Sequence, residues 1–226
     1  MIIPAYNEER RIGTVLRAVC ESRLATEIIV VSDASHDRTA AEAREFPQVK
    51  VIELLFNSGK GGAMAAGVAA TQADVIAFVD ADLTGLQGIH VDRIIEPVLA
   101  NTCDMCVGIF RGGKFLSDTA QRISPYISGQ RAMKRWIFDQ IPFIGEMRMG
   151  VEVTINTYAK RNKARVIRVV LHGVSNTFKE SKMGLMKGVK ARTKMYAEIG
   201  RALVRMRRKK VAKARRIPRK PGKKKL

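Results

Sequence analysis

Asp80-Ala-Asp82 closes an apolar run, Asp74-Val-Ile-Ala-Phe-Val-Asp80, and is the segment of this 226-residue chain best suited to chemistry. Val75 to Val79 reads as a strand buried on both faces, as in parallel sheets. Ligands of open α/β sheets bind just beyond the carboxyl ends of such strands. Two carboxylates placed there, one residue apart, offer hard oxygen to a Mg²⁺ or Mn²⁺ ion that also holds a diphosphate. In isolation the pair has a blander reading, in which Asp80 ends the strand and Asp82 caps the next segment. The neighbouring motifs decide between the two.

Four other segments sit where strands end or helices begin. In Pro4-Ala-Tyr-Asn-Glu8, Tyr6 could cover a base and Glu8 could accept from a base or ribose, or Glu8 could serve only the helix dipole. In Ser32-Asp33-Ala-Ser-His-Asp37, Asp33 is placed to accept from a nucleobase N–H, while Asp37 reads better as a helix cap. Gly59-Lys60-Gly61-Gly62 looks like a phosphate loop but has neither the nucleoside-triphosphatase nor the dinucleotide spacing. In Ser128-Gly-Gln-Arg131, the forked donors of Arg131 would suit a leaving diphosphate.

The elements that must position these residues alternate between strand and helix through the first half, which argues a parallel sheet with crossover helices. Strands are expected at Met1–Ala5, Glu27–Val31, Val49–Leu55, the run before Asp80, and Cys103–Phe110. Asn7 is expected to cap a helix whose buried face is Ile12, Val15, Leu16 and Val19. Helices are also expected at Asp37–Phe46, from the glycine loop to Ala70, and at Val91–Leu99. Beyond Arg111 the alternation stops; Met133–Asp139 and Gly150–Arg161 read as helices and Ala164–Leu171 as a late strand. The chain opens inside a strand pattern, as if a residue or two of the domain preceded it, and shows neither a signal peptide nor an apolar run long enough to span a membrane. Three cysteines suit a reducing compartment, and Cys103-Asp-Met-Cys106 has no second pair to complete a zinc site.

Charge divides the chain. Lys179–Leu226 holds 20 Lys and Arg against 2 acids, a net +18, leaving +2 for the rest. Met186, Val189, Thr193, Tyr196, Ile199, Leu203 and Met206 recur at helical spacing among basic residues, which reads as a basic amphipathic helix over 179–206. From 207 to 226 the pattern dissolves into a disordered polybasic tail. A lone aromatic, Tyr196, argues against nucleic acid, and the apolar stripe fits an anionic membrane surface. Packing of the stripe on the domain itself is the other option.

Taken in order, Ile3–Glu9, Val31–Thr39, Asn57–Gly61, Asp80–Asp82 and Ser128–Arg131 resemble the family-2 inverting glycosyltransferases of the GT-A fold, nearest to the dolichyl-phosphate mannosyltransferase-like group. The resemblance implies one α/β GT-A domain over 1–178, Rossmann-like with a mostly parallel central sheet. It assigns Pro4, Ala5, Tyr6, Glu8, Asp33, Lys60 and Asp80 to a nucleotide-sugar donor, and Asp80 and Asp82 to its metal. It places Arg131 near the phosphates and Gly150-Val151-Glu152 near the acceptor, although Met147-Arg148-Met149 lacks the glycine the family carries there. His172 is a third candidate metal ligand, as in some related enzymes.

The implied reaction is in-line transfer from a nucleoside-diphosphate sugar to a lipid or lipid-phosphate acceptor, at the inner face of the cell membrane. A hydroxyl acceptor needs a general base and a phosphate acceptor needs none. Glu152 and Glu146 are the base candidates; on one helix they would stand about 120° apart, so at most one faces the site, and Glu152 is preferred. A soluble phosphorylated acceptor, or a non-enzymatic RNA-associated protein using the basic tail, are the competing expectations.

Overall fold

The computed structural model describes residues 1–111, 128–148 and 150–176. The expected amphipathic helix and tail lie outside them. The chain begins with β1 (Ile2–Ala5), α1 (Ile12–Cys20), β2 (Ile28–Ser32), α2 (Thr39–Arg44) and β3 (Val49–Glu53). It continues through α3 (Gly59–Ala69), β4 (Val75–Phe78), β5 (Leu83–Thr84), α4 (Gly88–Leu99) and β6 (Met105–Arg111). After residues 112–127 come β7 (Arg131–Lys134), α5 (Arg135–Asp139), a 3₁₀ turn at Ile144–Glu146, α6 (Val151–Arg161), β8 (Val166–His172) and β9 (Ser175–Asn176).

Seven strands form one sheet in the order β3-β2-β1-β4-β7-β6-β8. Adjacent strands are parallel except on either side of β7, which is antiparallel to β4 and β6. β5 and β9 make a separate antiparallel pair. Successive strand residues point to opposite faces, and each face has its own core. Ile3, Val30, Ala77, Cys106 and Ala132 pack under α1 and α4. Ile2, Ile29, Ile76, Phe78, Met105 and Met133 pack under α3, α5 and α6. Strands covered on both faces read as unbroken apolar runs, which is why they were legible.

The chain steps outward from β1 to β3, then returns to lay β4 on the other side of β1. Such a reversal opens a crevice at the carboxyl edge between the two middle strands. The sequence reading of 133–139 as one helix is corrected. Residues 131–134 are a strand, because Ala132 and Met133 are each fully buried on opposite faces, and helix begins only at Arg135. Asn7 is not a helix cap either. Its φ is +55°, its side chain accepts from His36 N at 2.9 Å, and α1 starts five residues later. Both thiols of Cys103 and Cys106 lie in the same core because Cys103 precedes the strand, and burial, then Cys103, pushes Cys106 up to about 12.

Candidate active site

The crevice between β1 and β4 is a cavity of about 580 Å³. Pro4, Ala5, Tyr6 and Glu8 reach it from the end of β1, Asp33 from the end of β2, and Asp80 and Asp82 from the end of β4. Asn57, Gly59 and Lys60 come from the start of α3, and Arg148 from the segment before α6. Every residue that the sequence assigned to donor binding lines this space.

Asp80 is held from two sides. Lys60 Nζ lies 2.6 Å from its Oδ1, and Gln130 Nε2 donates to its Oδ2 at 2.8 Å. The antiparallel register of β4 and β7 pairs Phe78 with Arg131, so continuing both strands brings Gly129 opposite Asp80. A side chain at position 129 would run into the Asp80 carboxylate. Burial disfavours charge on Asp80, but Lys60 first, then the Gln130 hydrogen bond and Arg131, hold its pKa below the usual carboxylate range.

Lys60 Nζ also lies 2.5 Å from Glu152 Oε1, so one ammonium bridges two carboxylates. Burial opposes its charge, and the two acids more than reverse that, raising its pKa. Glu152 does not itself line the cavity and is joined to it through this contact with Lys60. It stands in the first turn of α6, just after Gly150, whose φ of +73° turns the chain into the helix. Glu146 is in the separate 3₁₀ turn, so the two glutamates do not share a helix as the sequence reading assumed.

Asp33 is 4% exposed and accepts from Ser58 N at 2.6 Å and Gly59 N at 2.8 Å. It therefore serves the otherwise unpaired N–H groups that open α3. It also lines the cavity. Glu8 accepts from Arg11 Nη1 at 2.9 Å, and Tyr6, 43% exposed, meets the His36 ring edge-on at 6.4 Å between centroids. Asp37 is not the cap expected of it, since Arg38 holds that position. It lies one residue earlier and accepts from Thr39 N at 3.0 Å and Glu9 N at 3.2 Å, and although burial raises its pKa these hydrogen bonds more than offset this.

Two expectations meet a different geometry. Arg131 is fully buried behind the cavity wall and does not line it. Its guanidinium donates to Glu152 O at 3.3 Å, to Asn156 Oδ1 at 3.1 Å and to Ser128 O, because a strand residue on this face points under α6. It supports the start of α6 and, through it, Glu152. His172 ends β8, exposed, and does not join Asp80 and Asp82; no group of three His, Cys, Asp or Glu able to hold a metal exists among the described residues. Its charge is instead felt at His90, whose pKa is lowered by burial first, then by Arg93 and His172.

The glycines at 61 and 62 are packing devices rather than a phosphate cradle. Gly61 N donates to Met147 O at 2.8 Å, and a Cβ on Gly61 would meet the carbonyls of Ile144 and Met147. Sequence reasoning passed over Gln130 as a holder of Asp80, and over Arg148. The latter donates from Nη1 to Asn57 O at 2.8 Å and also to Asn57 Oδ1, tying the loop before α6 to the cavity rim. An arginine between methionines carries no local signal of this.

Asp80 and Asp82 give a divalent cation two hard oxygens on one wall, and the Lys60 ammonium on Asp80 Oδ1 shows that this oxygen favours a cation. Mg²⁺ and Mn²⁺ commonly bind through one or two carboxylates, with phosphate and water supplying the rest. The residues fit such a site without His172.

Comparison with known proteins agrees with this geometry. A 101-residue stretch, 42% of the chain, is 37% identical to 4,4'-diaponeurosporenoate glycosyltransferase of Staphylococcus aureus strain MRSA252. That match covers 27% of the relative, so the chain corresponds to about a quarter of the curated relatives it matches. Among solved structures, glucosyl-3-phosphoglycerate synthase from Mycobacterium tuberculosis with Mn²⁺, UDP and glucosyl-3-phosphoglycerate superposes with a TM-score of 0.66 at 23% identity, over 79% of this chain and 71% of that one. Its complex with Mn²⁺, UDP-glucose and phosphoglyceric acid gives a TM-score of 0.70 at 21% identity, over 89% and 78%. These likenesses show a shared fold, the GT-A architecture expected from the motifs. The model of the family named Glycosyl transferase family 2 matches residues 1–156, and with more than half of its length matched the chain belongs to that family.

Proposed function

We propose that the chain transfers a sugar, with inversion, from a nucleoside-diphosphate sugar to a lipid or lipid-phosphate acceptor at a membrane surface, assisted by Mg²⁺ or Mn²⁺. The observation that carries the donor half is the cavity at the β1/β4 reversal, where Asp80, Asp82 and Lys60 converge. Tyr6, Glu8 and Asp33 form the end suited to a base and ribose. The acidic pair marks the diphosphate end. When bound, a divalent cation held by Asp80 and Asp82 would stabilise negative charge on the departing diphosphate as a Lewis acid.

The chain's own residues supply the rest. Lys60 reaches the same space and adds positive charge from a partly buried position, where charge counts for more than in open water. Glu152, 13% exposed on its side chain, is the base for a hydroxyl acceptor. Arg131 and Gly150 hold it at the start of α6. The lipid half rests on the basic stripe and tail of 179–226 and on the carotenoid-acid relative. The solved structures holding phosphoglyceric acid favour a second reading, a soluble phosphorylated acceptor.

The test measures sugar transfer from UDP- and GDP-sugars to vesicle-embedded polyprenyl phosphate and to phosphoglycerate, with binding to anionic and neutral vesicles in parallel. Transfer to the vesicle acceptor and tail-dependent anionic binding support the lipid reading; transfer to phosphoglycerate alone replaces it with the soluble one. Asp82→Ala is expected to abolish transfer. Parental activity in that variant at limiting Mn²⁺ would overturn the metal assignment.

A further inference from the structure

Lys60 does more than line the cavity. Its ammonium sits on Asp80 Oδ1 at 2.6 Å and on Glu152 Oε1 at 2.5 Å, with 29% of its side chain exposed toward the donor space. Gln130 holds the other Asp80 oxygen from the buried side. The Asp80 oxygen that Gln130 does not engage is thus already paired with a cation. Arg148, which also lines the cavity, is committed to Asn57 and leaves Asp80 to Lys60.

We propose that Lys60 is a built-in counter-cation that keeps Asp80 and Glu152 engaged until a nucleoside diphosphate draws its ammonium away, so that divalent cation and nucleotide bind as a coupled pair. This rests on the donor reading above and specifies the order of events at that site. A divalent ion arriving alone must displace an ammonium from a partly buried carboxylate, where charge–charge energies far exceed those in water. A diphosphate arriving alone meets the acids Asp80 and Asp82 in the lining, only partly offset by Lys60, whose charge is shared with Glu152, and by the buried Arg131.

Together the two ligands exchange partners at Asp80: Lys60 turns to the phosphates, a divalent ion held by Asp80 and Asp82 replaces its charge there, and only Glu152, still under the field of Arg131, gives up its ammonium. The same movement separates Lys60 from Glu152, so the proposed base becomes available only once the donor is seated. By linkage the coupling is reciprocal: each ligand tightens the other by the same factor, on the order of ten- to a hundredfold. The acceptor is thereby kept from meeting a competent base before there is a sugar to transfer.

The experiment uses the full chain and reads binding rather than turnover. Mn²⁺ affinity is measured from the free-ion electron paramagnetic resonance signal, alone and with saturating UDP or GDP, whichever raises Tm more. Nucleotide affinity is measured by calorimetry with and without Mn²⁺. The proteins are wild type, Lys60→Met, which keeps the alkyl stem, and Lys60→Gln, which keeps a donor without the charge. In the wild type, nucleotide is expected to tighten Mn²⁺ at least tenfold. Both variants are expected to bind Mn²⁺ alone about tenfold tighter than wild type, to bind nucleotide alone more weakly, and to keep only the weaker coupling that direct contact between cation and diphosphate gives. Opposite signs for the two ligands are what a merely structural lysine cannot produce. Mn²⁺ affinity unchanged or weakened in both variants would overturn the counter-cation role while leaving the donor site standing. Absence of nucleotide and Mn²⁺ binding in the wild type would overturn both.

Discussion

Replacing Gln130 with leucine removes two side-chain hydrogen bonds, of which only one is left without a substitute. Gln130 is fully buried, donates to Asp80 Oδ2 at 2.8 Å and accepts from Ser128 Oγ at 2.9 Å, while that hydroxyl also has Gly108 O as a partner. The lasting loss falls on Asp80, a charged acceptor left one donor short, and such a bond is worth about 1.5–3 kcal/mol. At about 2–4 °C of Tm per kcal/mol for a domain of this size, Gln130→Leu should melt roughly 3–12 °C lower at pH 7. The sign with pH comes from the depressed pKa of Asp80. A carboxyl whose folded pKa lies below its unfolded value of about 3.9 stabilises the fold above that value, and the contribution fades as pH falls below it. The gap between variant and wild type should therefore be full at neutral pH and narrow below about pH 4. Because the amide also aims Oδ1 at the cavity, affinity for Mn²⁺ with nucleotide should fall about ten- to a hundredfold, as when a ligand's hydrogen-bonded support is removed. Scanning fluorimetry across pH and calorimetry at pH 7 read the two effects. An unchanged Tm with unchanged affinity would refute the claim that Gln130 orients Asp80; a lowered Tm with unchanged affinity would reduce it to a stability role.

Gly61→Ala should destabilise by about 1–3 kcal/mol or more, because the new methyl meets two backbone carbonyls that can yield only by shifting the 144–147 segment off α3. Its Tm, measured with and without nucleotide, separates this from a phosphate-loop role, which would weaken nucleotide binding and leave the apo Tm in place. Glu152→Gln should cut turnover with a hydroxyl acceptor about 10²–10⁴-fold and leave a phosphate acceptor's rate nearly unchanged. Equal losses on both acceptors, in steady-state assays at saturating donor, would remove Glu152 as the base.

Much of the fold was legible because its physics is local. Strands buried on both faces become apolar runs, and the crossover helices show their inward stripe, as Ile12, Val15, Leu16 and Val19 do in α1. The donor residues were legible for a related reason: Tyr6, Asp33 and Asp80 each come just after a strand, and parallel strands place such ends on one edge. Sequence alone thus determined the parallel strands of the sheet, the edge that carries the site, and the acidic pair at its centre. It also showed the concentration of charge beyond Lys179.

Tertiary structure decided what those residues touch. The second half of β7, Met133 and Lys134, was read into the helix that follows because four residues of strand carry too little periodicity to be told from the helical turn after them. Only the antiparallel pairing of β7 with β4 turns Gln130 onto Asp80, 50 residues away, and sends Arg131 behind the wall instead of into the cavity. Asp33 gained its hold on α3, and Lys60 its second acid at Glu152, through contacts between segments far apart in the chain. Position along a strand is written in neighbouring residues, whereas the partner of a charged side chain is fixed by which distant segment packs against it, and no local pattern records that choice.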